Sequence, residues 1–178
     1  SYDLNIVSGD INTNEVLKKT LNNEFEVIFL IGKDNLELKK KNEFIIYIGS
    51  HGDKGAEFSD VILPGAAYTE QDAHYTNLEG QIQKAYQATY PPGDAKEDWE
   101  IFNNLSTYIK RKKIFNTKDN MVSDMLDFIK KKKDNKSLDI HKSFHNEKIT
   151  TDDLDYYYSN VVSRASKTMM ECRSLRNN

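Results

Sequence analysis

Three short apolar runs along the chain predict three strands of a parallel sheet. Residues 27–31, 44–48 and 60–63 are rich in β-branched or aliphatic side chains, and glycine or proline closes each run. The first run is continuous rather than alternating, which is typical of a parallel strand covered on both faces. The connections between the runs are about a dozen residues long, near the minimum for a parallel crossover. This pattern predicts a small α/β sheet.

Helical spacing of apolar residues predicts helices around these strands. Residues 16–21 show this spacing after a capping pattern at residues 12–15. Residues 121–129 show it again, and a run of lysines ends that helix. A further short helix is predicted over residues 65–71, because Pro64 suits the first position of a helix.

The best-defined helix is predicted to begin after Pro91-Pro92-Gly93. Asp94 is its expected N-cap, since Glu97 follows three residues later. Trp99 lies on the apolar face of this helix. We expect Trp99 to be a buried anchor against the sheet, in which case Trp99→Ala costs about 3–5 kcal/mol.

A β-hairpin is predicted between residues 74 and 86. Two short segments flank Leu78-Glu79-Gly80, and Gly80 supplies the positive φ of a three-residue loop. Acidic residues elsewhere in this region are expected to cap turns or form pairs. The fold class is therefore α/β, with a parallel sheet, a hairpin and C-terminal helices.

Residues that shape the backbone are concentrated between Phe44 and Trp99. That stretch holds six of the eight glycines, all three prolines and the only tryptophan. A hydrophobic content of 38% against 30% charged residues, with a mean hydropathy of −0.73, limits the size of any core. We therefore expect a compact domain at residues 1–115, a helix and polar linker at 116–150, and a docking segment at 151–178.

Charge and cysteine content argue against several classes of protein. A net charge of −3 is unlike that of a dedicated nucleic-acid binder. No apolar run reaches the roughly 18 residues that a membrane span requires. The single cysteine, Cys172, cannot form an internal disulfide or hold an iron–sulfur cluster by itself. The first residues show no basic presequence, so a mitochondrial location would need a removed presequence or synthesis inside the organelle.

Two stretches carry a resemblance to a known family. The first is GSHGDKGAEFSDVILPGAAYTEQDAHYTNLEGQIQ with PPGDAKEDW after it, and the second is DYYYSNVVSRASKTMMEC at residues 155–172. Both resemble the C-terminal region of the large iron–sulfur subunit of respiratory complex I, the second in its mitochondrial form. The resemblance covers nearly the whole chain and is loose over residues 116–149.

The resemblance implies a fold and a set of partners. That subunit is similar to molybdopterin oxidoreductases, so the implied fold is the Rossmann-like end of such a domain. The implied partners are the N-terminal iron–sulfur part of the same subunit and other peripheral-arm subunits, on the matrix side of the mitochondrial inner membrane. The clusters would lie on that N-terminal part, and no cofactor is expected in this chain.

The hairpin marks a departure from molybdoenzymes. In that family the corresponding hairpin lies near the cofactor cleft and carries an Asn-x-Glu motif, often followed by a basic residue. Asn77 and Glu79 are present here, whereas Gly80 replaces the basic residue. The resemblance to a working molybdoenzyme is weakened by this change.

Gly49, Gly52 and Gly55 recur at every third position. This spacing fits neither a dinucleotide fingerprint nor a P-loop, and Asp53 adds negative charge. Structural turns are therefore favoured over a phosphate- or pterin-facing loop. The nearby acids and histidines show no diagnostic metal-ligand spacing, so we favour capping and pairing roles for them. These residues are His51, Asp53, Asp60, Glu70, Asp72, His74 and Glu79.

Two sets of residues are singled out by these patterns. The structural motif positions are Gly49, Gly52, Asp53, Gly55, Asp60, Pro64, Gly65, Glu70, Asn77, Glu79, Gly80, Pro92, Gly93 and Trp99. The interface candidates in the C-terminal block are Tyr156, Tyr157, Tyr158, Arg164, Met169 and Met170, since aromatic residues and methionine are enriched in interface cores. Packing within their own domain is nearly as good an explanation for the second set. No catalytic, cofactor-binding or metal-binding residue is predicted.

Three functions remain open at this point. The first is a non-catalytic structural and assembly segment of complex I. The second is the terminal fragment of a true molybdopterin oxidoreductase, similar to formate dehydrogenase, in which the glycine loop and Asn77-x-Glu79 meet a pterin. The third is an independent nucleotide-binding module, which only the strand and helix order supports. The C-terminal block favours the first.

Overall fold

Three parallel strands form the sheet on which the N-terminal part of the chain is built. β1 is Val27–Ile31, β2 is Phe44–Gly49 and β3 is Val61–Pro64, and they pair in the order β1-β2-β3. Each lies within one residue of its predicted position, which confirms the parallel sheet. The computed structural model describes residues 13–33, 36, 38–77, 79–133 and 155–176.

One face of the sheet carries the main hydrophobic core. Leu30, Leu38, Ile45 and Tyr47 form a buried cluster. Helix α1, Thr13–Leu21, packs Leu17 against it, as the apolar spacing predicted. A short helix that the sequence did not predict, α2 at Lys54–Glu57, connects β2 to β3 on the same side, and its Ala56 also contacts the cluster.

The other face is partly covered by helix α3, Asp98–Lys110. The rings of Phe29 in β1 and Phe102 in α3 are 5.9 Å apart between centroids. Ile101 of the same helix is buried. The strands are therefore built for burial on both faces, with α1 and α2 on one side and α3 on the other.

The predicted start of α3 at Asp94 is wrong. The N-cap is Glu97, which makes no side-chain capping bond. Residues before it are held outside the helix because Lys96 pairs with the end of β3. Its N–H donates to Pro64 O at 3.1 Å, and its carbonyl accepts from Ala66 N at 2.8 Å. This pairing extends the sheet locally and competes with a helical turn.

Trp99 is not the buried anchor that the sequence predicted. Its side chain is half-buried, and the indole N–H donates to Glu97 Oε2 at 2.9 Å. Ile101 and Asn103 are the buried residues of α3 instead. The cost of Trp99→Ala is therefore expected to fall below the range for a fully buried aromatic.

The helix predicted over residues 65–71 is absent. Gly65 pairs with Lys96, and a turn follows in which Glu70 Oε2 accepts from Ala67 N at 2.8 Å. The backbone of Glu70 also donates to Ala67 O at 2.9 Å. These hydrogen bonds engage backbone N–H and C=O groups after Pro64, so the segment does not need helical hydrogen bonds.

The predicted hairpin is confirmed. β4, Ala73–Thr76, pairs antiparallel with β5, Ile82–Ala85. Gly80 has a φ of +79°, in the region that glycine adopts without strain. Asn77 closes the loop, since its Oδ1 accepts from Gln81 N at 2.8 Å.

The described residues fall into two compact units, one within residues 1–135 and one within 136–178. In the first, helix α4 at Lys118–Lys133 follows α3, and its existence was predicted. In the second, a 3-10 turn at Tyr156–Tyr158 precedes helices α5, Val161–Ala165, and α6, Lys167–Arg176. The predicted linker over residues 134–150 lies outside the described residues.

A buried asparagine fixes the connection between α3 and α4. Asn103 Oδ1 accepts from Ile114 N at 2.7 Å and from Phe115 N at 3.0 Å. Its Nδ2 donates to Phe115 O at 2.9 Å. Because Asn103 is 6% exposed, its amide group depends on these backbone partners rather than on water.

Replacing Asn103 by alanine should therefore destabilise the chain by about 2–3 kcal/mol, since three hydrogen bonds between α3 and the connection to α4 are lost. The matched control is Asn104→Ala, at the neighbouring exposed position. Urea unfolding of both variants measures the difference. Equal midpoints for the two variants would contradict the role assigned to Asn103.

Candidate functional site

The carboxyl edge of the sheet is where ligands bind in open parallel α/β folds. Gly49 ends β2 there and Gly65 follows β3, and Gly65 N donates to Gly49 O at 3.0 Å. A Cβ atom built on Gly65 would lie 3.3 Å from Asp98 Oδ1. The N-terminus of α3 therefore brings a carboxylate beside Gly65, at the end of β3.

The glycine-rich loop after β2 is filled by atoms of this chain. A Cβ atom on Gly49 would overlap the ring and hydroxyl of Tyr47, and one on Gly55 would lie 2.6 Å from Lys33 O. The Tyr47 hydroxyl donates to His51 O at 2.7 Å. Gly49 and Gly55 thus permit close packing around Tyr47. Gly52 has no heavy atom within 4 Å of its built Cβ.

Two of the predicted acids have structural partners around the sheet. Asp53 caps α2, because Oδ1 accepts from Lys54 N at 2.8 Å. Asp60 joins two strands: Oδ2 accepts from Ile45 N at 2.8 Å and Oδ1 contacts Lys40 Nζ at 2.5 Å. The bond from Ile45 N, followed by that from Lys40, lowers the pKa of Asp60.

The hairpin acids are also engaged. Asp72 Oδ1 accepts from Gln87 N at 2.8 Å, and Oδ2 lies 3.5 Å from Lys84 Nζ. The bond from Gln87 N is the main cause that lowers the pKa of Asp72. His74 lies opposite Lys84 in the hairpin, and Glu79 is exposed in the loop. Within the described ranges, no group of three or more His, Cys, Asp or Glu side chains is arranged to hold a metal ion.

Several of the remaining motif residues shape turns. Gly93 has a φ of +56°, directly before the segment that pairs with β3. Pro92 is exposed and its carbonyl accepts from Ala95 N at 3.1 Å. Pro64 ends β3, opposite Gly49 in the register. The motif positions thus serve separate turns and do not converge on one pocket.

The C-terminal unit is organised around Arg173. Its Nε lies 2.5 Å from Asp155 Oδ2, and its guanidinium stacks 4.5 Å from the Tyr158 ring centroid. The Arg173 hydrogen bond is the largest cause lowering the pKa of Asp155. Arg164 Nη1 donates to Tyr158 O at 3.2 Å.

The interface candidates in this unit divide into two groups. Tyr157, Tyr158, Arg164 and Met169 are half-buried within the unit. Tyr156 is 75% exposed and Met170 is 51% exposed. Only Tyr156 and Met170 therefore present most of their surface to a possible partner.

Comparison with known proteins identifies the family. The molybdopterin oxidoreductase family pattern matches residues 4–108, which include the sheet, the hairpin and most of α3. The chain belongs to the molybdopterin oxidoreductase family. This confirms the fold that the resemblance implied.

Individual relatives confirm the resemblance to the complex I large subunit. An NADH-quinone oxidoreductase subunit of Rickettsia conorii is 41% identical over 180 residues, covering 94% of this chain. The NADH-ubiquinone oxidoreductase 78 kDa subunit, mitochondrial, of Candida albicans is 34% identical over 95% of the chain. The 75 kDa subunit of Reclinomonas americana is 32% identical over 98% of the chain. The chain spans only 26–27% of the length of these relatives.

The family name implies a pterin cofactor, and the surroundings of Gly49, Gly55 and Gly65 do not fit one. A pterin phosphate would need free backbone N–H groups or positive charge. Here the N-terminus of α2 is capped by the carboxylate of Asp53, and Asp98 adds an acid beside Gly65. The space around Gly49 and Gly55 is taken by Tyr47 and Lys33.

Asp98, Asn103 and Arg173 were missed by sequence reasoning. Asn103 lies four residues after Trp99, on the same side of the helix, and a polar residue there is a usable signal of a buried hydrogen-bonding role. Asp98 stood in a run of acids at a helix start, which suggested only a favourable macrodipole interaction. Arg173 gave no signal, because its partners are 15 and 18 residues away.

Asp98 generates a prediction about pH. Burial, followed by the nearby charge of Glu97, raises the pKa of Asp98 above its ordinary value of 3.8. An acid with a raised pKa in the folded state binds its proton more tightly there than in the unfolded chain, so it favours folding at low pH. The free energy that it contributes to folding is lost as pH rises through the folded pKa. Asp98→Asn should therefore gain stability relative to wild type as pH rises from about 3.8 to neutral.

Thermal unfolding of the two proteins across this pH range measures the gain. Asp94→Asn removes one exposed charge nearby and controls for the change in net charge. If the unfolding temperatures of Asp98→Asn and wild type differed by the same amount at every pH, the charged form of Asp98 would not be destabilised by its surroundings.

Proposed function

We propose that this chain is a non-catalytic structural and assembly segment of the large iron–sulfur subunit of respiratory complex I. The observation that carries the proposal is the 41% identity to the Rickettsia conorii NADH-quinone oxidoreductase subunit over 94% of the chain. Relatives about four times as long contain a region of this kind. On this proposal the chain completes the Rossmann-like domain of the large subunit, which carries electrons from NADH toward ubiquinone.

The absence of a catalytic role is supported by how the polar groups are used. The acids Asp53, Asp60 and Asp72 are engaged in caps and strand or hairpin pairing. The only cysteine of the sequence is Cys172. The iron–sulfur clusters would therefore belong to the N-terminal part of the subunit.

The proposed location is the matrix side of the mitochondrial inner membrane, in the peripheral arm. The name of the Candida albicans relative places that protein in mitochondria. In the part of the chain that the structure describes, no helix is long and apolar enough to cross a membrane. The proposed partners are the N-terminal part of the large subunit and neighbouring peripheral-arm subunits.

A terminal fragment of a true molybdopterin oxidoreductase is the second candidate. The match of residues 4–108 to that family favours it. Gly80 in place of a basic residue and the two acids, Asp53 and Asp98, argue against it. Metal and pterin content separate the two candidates.

Purification of the tagged chain from its own cells tests the proposal. The chain should co-purify with a polypeptide or segment carrying iron–sulfur clusters and with NADH dehydrogenase activity. The recombinant chain by itself should contain no stoichiometric iron, molybdenum, flavin or pterin, because it lacks ligands to hold them. Stoichiometric molybdenum or pterin in either preparation would favour the second candidate.

A further inference from the structure

The outer edge of β1 has a regular row of backbone groups facing away from the sheet. Phe44 N donates to Glu26 O, and Gly32 N donates to Ile48 O, both at 2.8 Å. In a parallel ladder alternate residues bond to the same neighbour, so Ile28 and Leu30 face β2 between these two bonds. Val27, Phe29 and Ile31 consequently face the other way, where no described strand lies.

The same three residues also expose their side chains. Val27 is 49% exposed, Phe29 38% and Ile31 48%, all on the face that α3 covers in part. Phe44, opposite Val27 in β2, is 45% exposed. β1 therefore has both backbone groups that face no described strand and exposed apolar side chains.

β1 also lacks the residues that normally keep an exposed sheet edge from pairing with another chain. Its sequence, Val-Ile-Phe-Leu-Ile, contains no charge, no proline and no glycine. Exposed edges normally carry such residues or are covered, because an open apolar strand pairs with other chains.

The opposite edge of the sheet differs. At the end of β3, Pro64 O and Ala66 N are bonded to Lys96, so this edge is partly closed within the chain. Pro64 itself has no backbone N–H to donate to another strand. The two edges are therefore unequal, and β1 is the one on which the outward-facing backbone groups, at Val27, Phe29 and Ile31, face no described strand.

We propose that β1 is an internal strand of a larger sheet, and that its outer edge pairs with a strand from the part of the large subunit outside this chain. This inference rests on the proposed function. The chain spans 26% of the length of its Rickettsia conorii relative, so most of a protein of that kind lies elsewhere. Parallel sheets are normally covered on both faces, and a strand with its own helix would supply both the hydrogen bonds and the cover.

Amide hydrogen exchange at single-residue resolution tests the pairing. In the isolated chain, the amides of Val27, Phe29 and Ile31 should exchange quickly, while those of Ile28 and Leu30 are protected by β2. In native complex I containing this chain, all five amides should be protected. If Val27, Phe29 and Ile31 still exchange quickly in the complex, the inference is overturned. This holds even if the chain is a confirmed component of complex I.

A matched pair of proline variants provides a second test. Asp60 N donates to Ile45 O at 2.8 Å, so the next residue, Val61, faces outward from β3 as Val27 does from β1. Val27→Pro and Val61→Pro therefore make the same change at the two edges, and each removes an outward N–H. Circular dichroism of the isolated variants should show similar folded content and similar midpoints.

The variants should differ in assembly. The amount of Val27→Pro chain recovered in complex I should fall about tenfold or more relative to wild type, as expected for lost strand pairing, with Val61→Pro near wild type. Equal recovery of the two variants would overturn the inference and leave the proposed function standing. A wild-type chain that never assembles would overturn both. An isolated chain that dimerises, and loses its dimer on Val27→Pro, would identify a second copy as the occupant and contradict the inference.

Discussion

The packing of Tyr47 is the constraint on which the first unit depends. Its ring lies in the centre of β2, 2% exposed, and fills the space that side chains at Gly49 and Gly55 would need. Its hydroxyl holds the loop after the strand through His51 O. Because α2 begins shortly after His51, Tyr47 connects the end of β2 to the crossover that leads to β3.

The same packing accounts for the close approach of chain segments around Gly49 and Gly55 at the carboxyl edge of the sheet. Glycines that in principle allow a ligand to approach the backbone are used here for contact between parts of one chain. Asp98, at the start of α3, lies close to Gly65 at the end of β3. The family fold is retained, and the space around Gly49 and Gly55 is taken by Tyr47 and Lys33.

Sequence patterns located the strands and the hairpin because those signals are local. Apolar runs ended by Gly32, Gly49 and Pro64 fixed the strands to within a residue, and Gly80 fixed the hairpin loop. The start of α3 was misplaced because Lys96 pairs with a segment about 30 residues earlier, and a capping pattern at Asp94 carries no information about that partner. Burial of Asn103 and partial exposure of Trp99 likewise depend on tertiary contacts that spacing does not reveal.

Asn103 also gives the first unit a mechanical property. Its side chain bonds to Ile114 and Phe115 from inside α3, and Lys118 at the start of α4 contacts Glu97 at the start of α3. The start of α4 is therefore held to α3 by the Lys118–Glu97 contact as well as through the loop that Asn103 anchors. Through the contact of Phe102 with Phe29, α3 in turn joins this connection to β1.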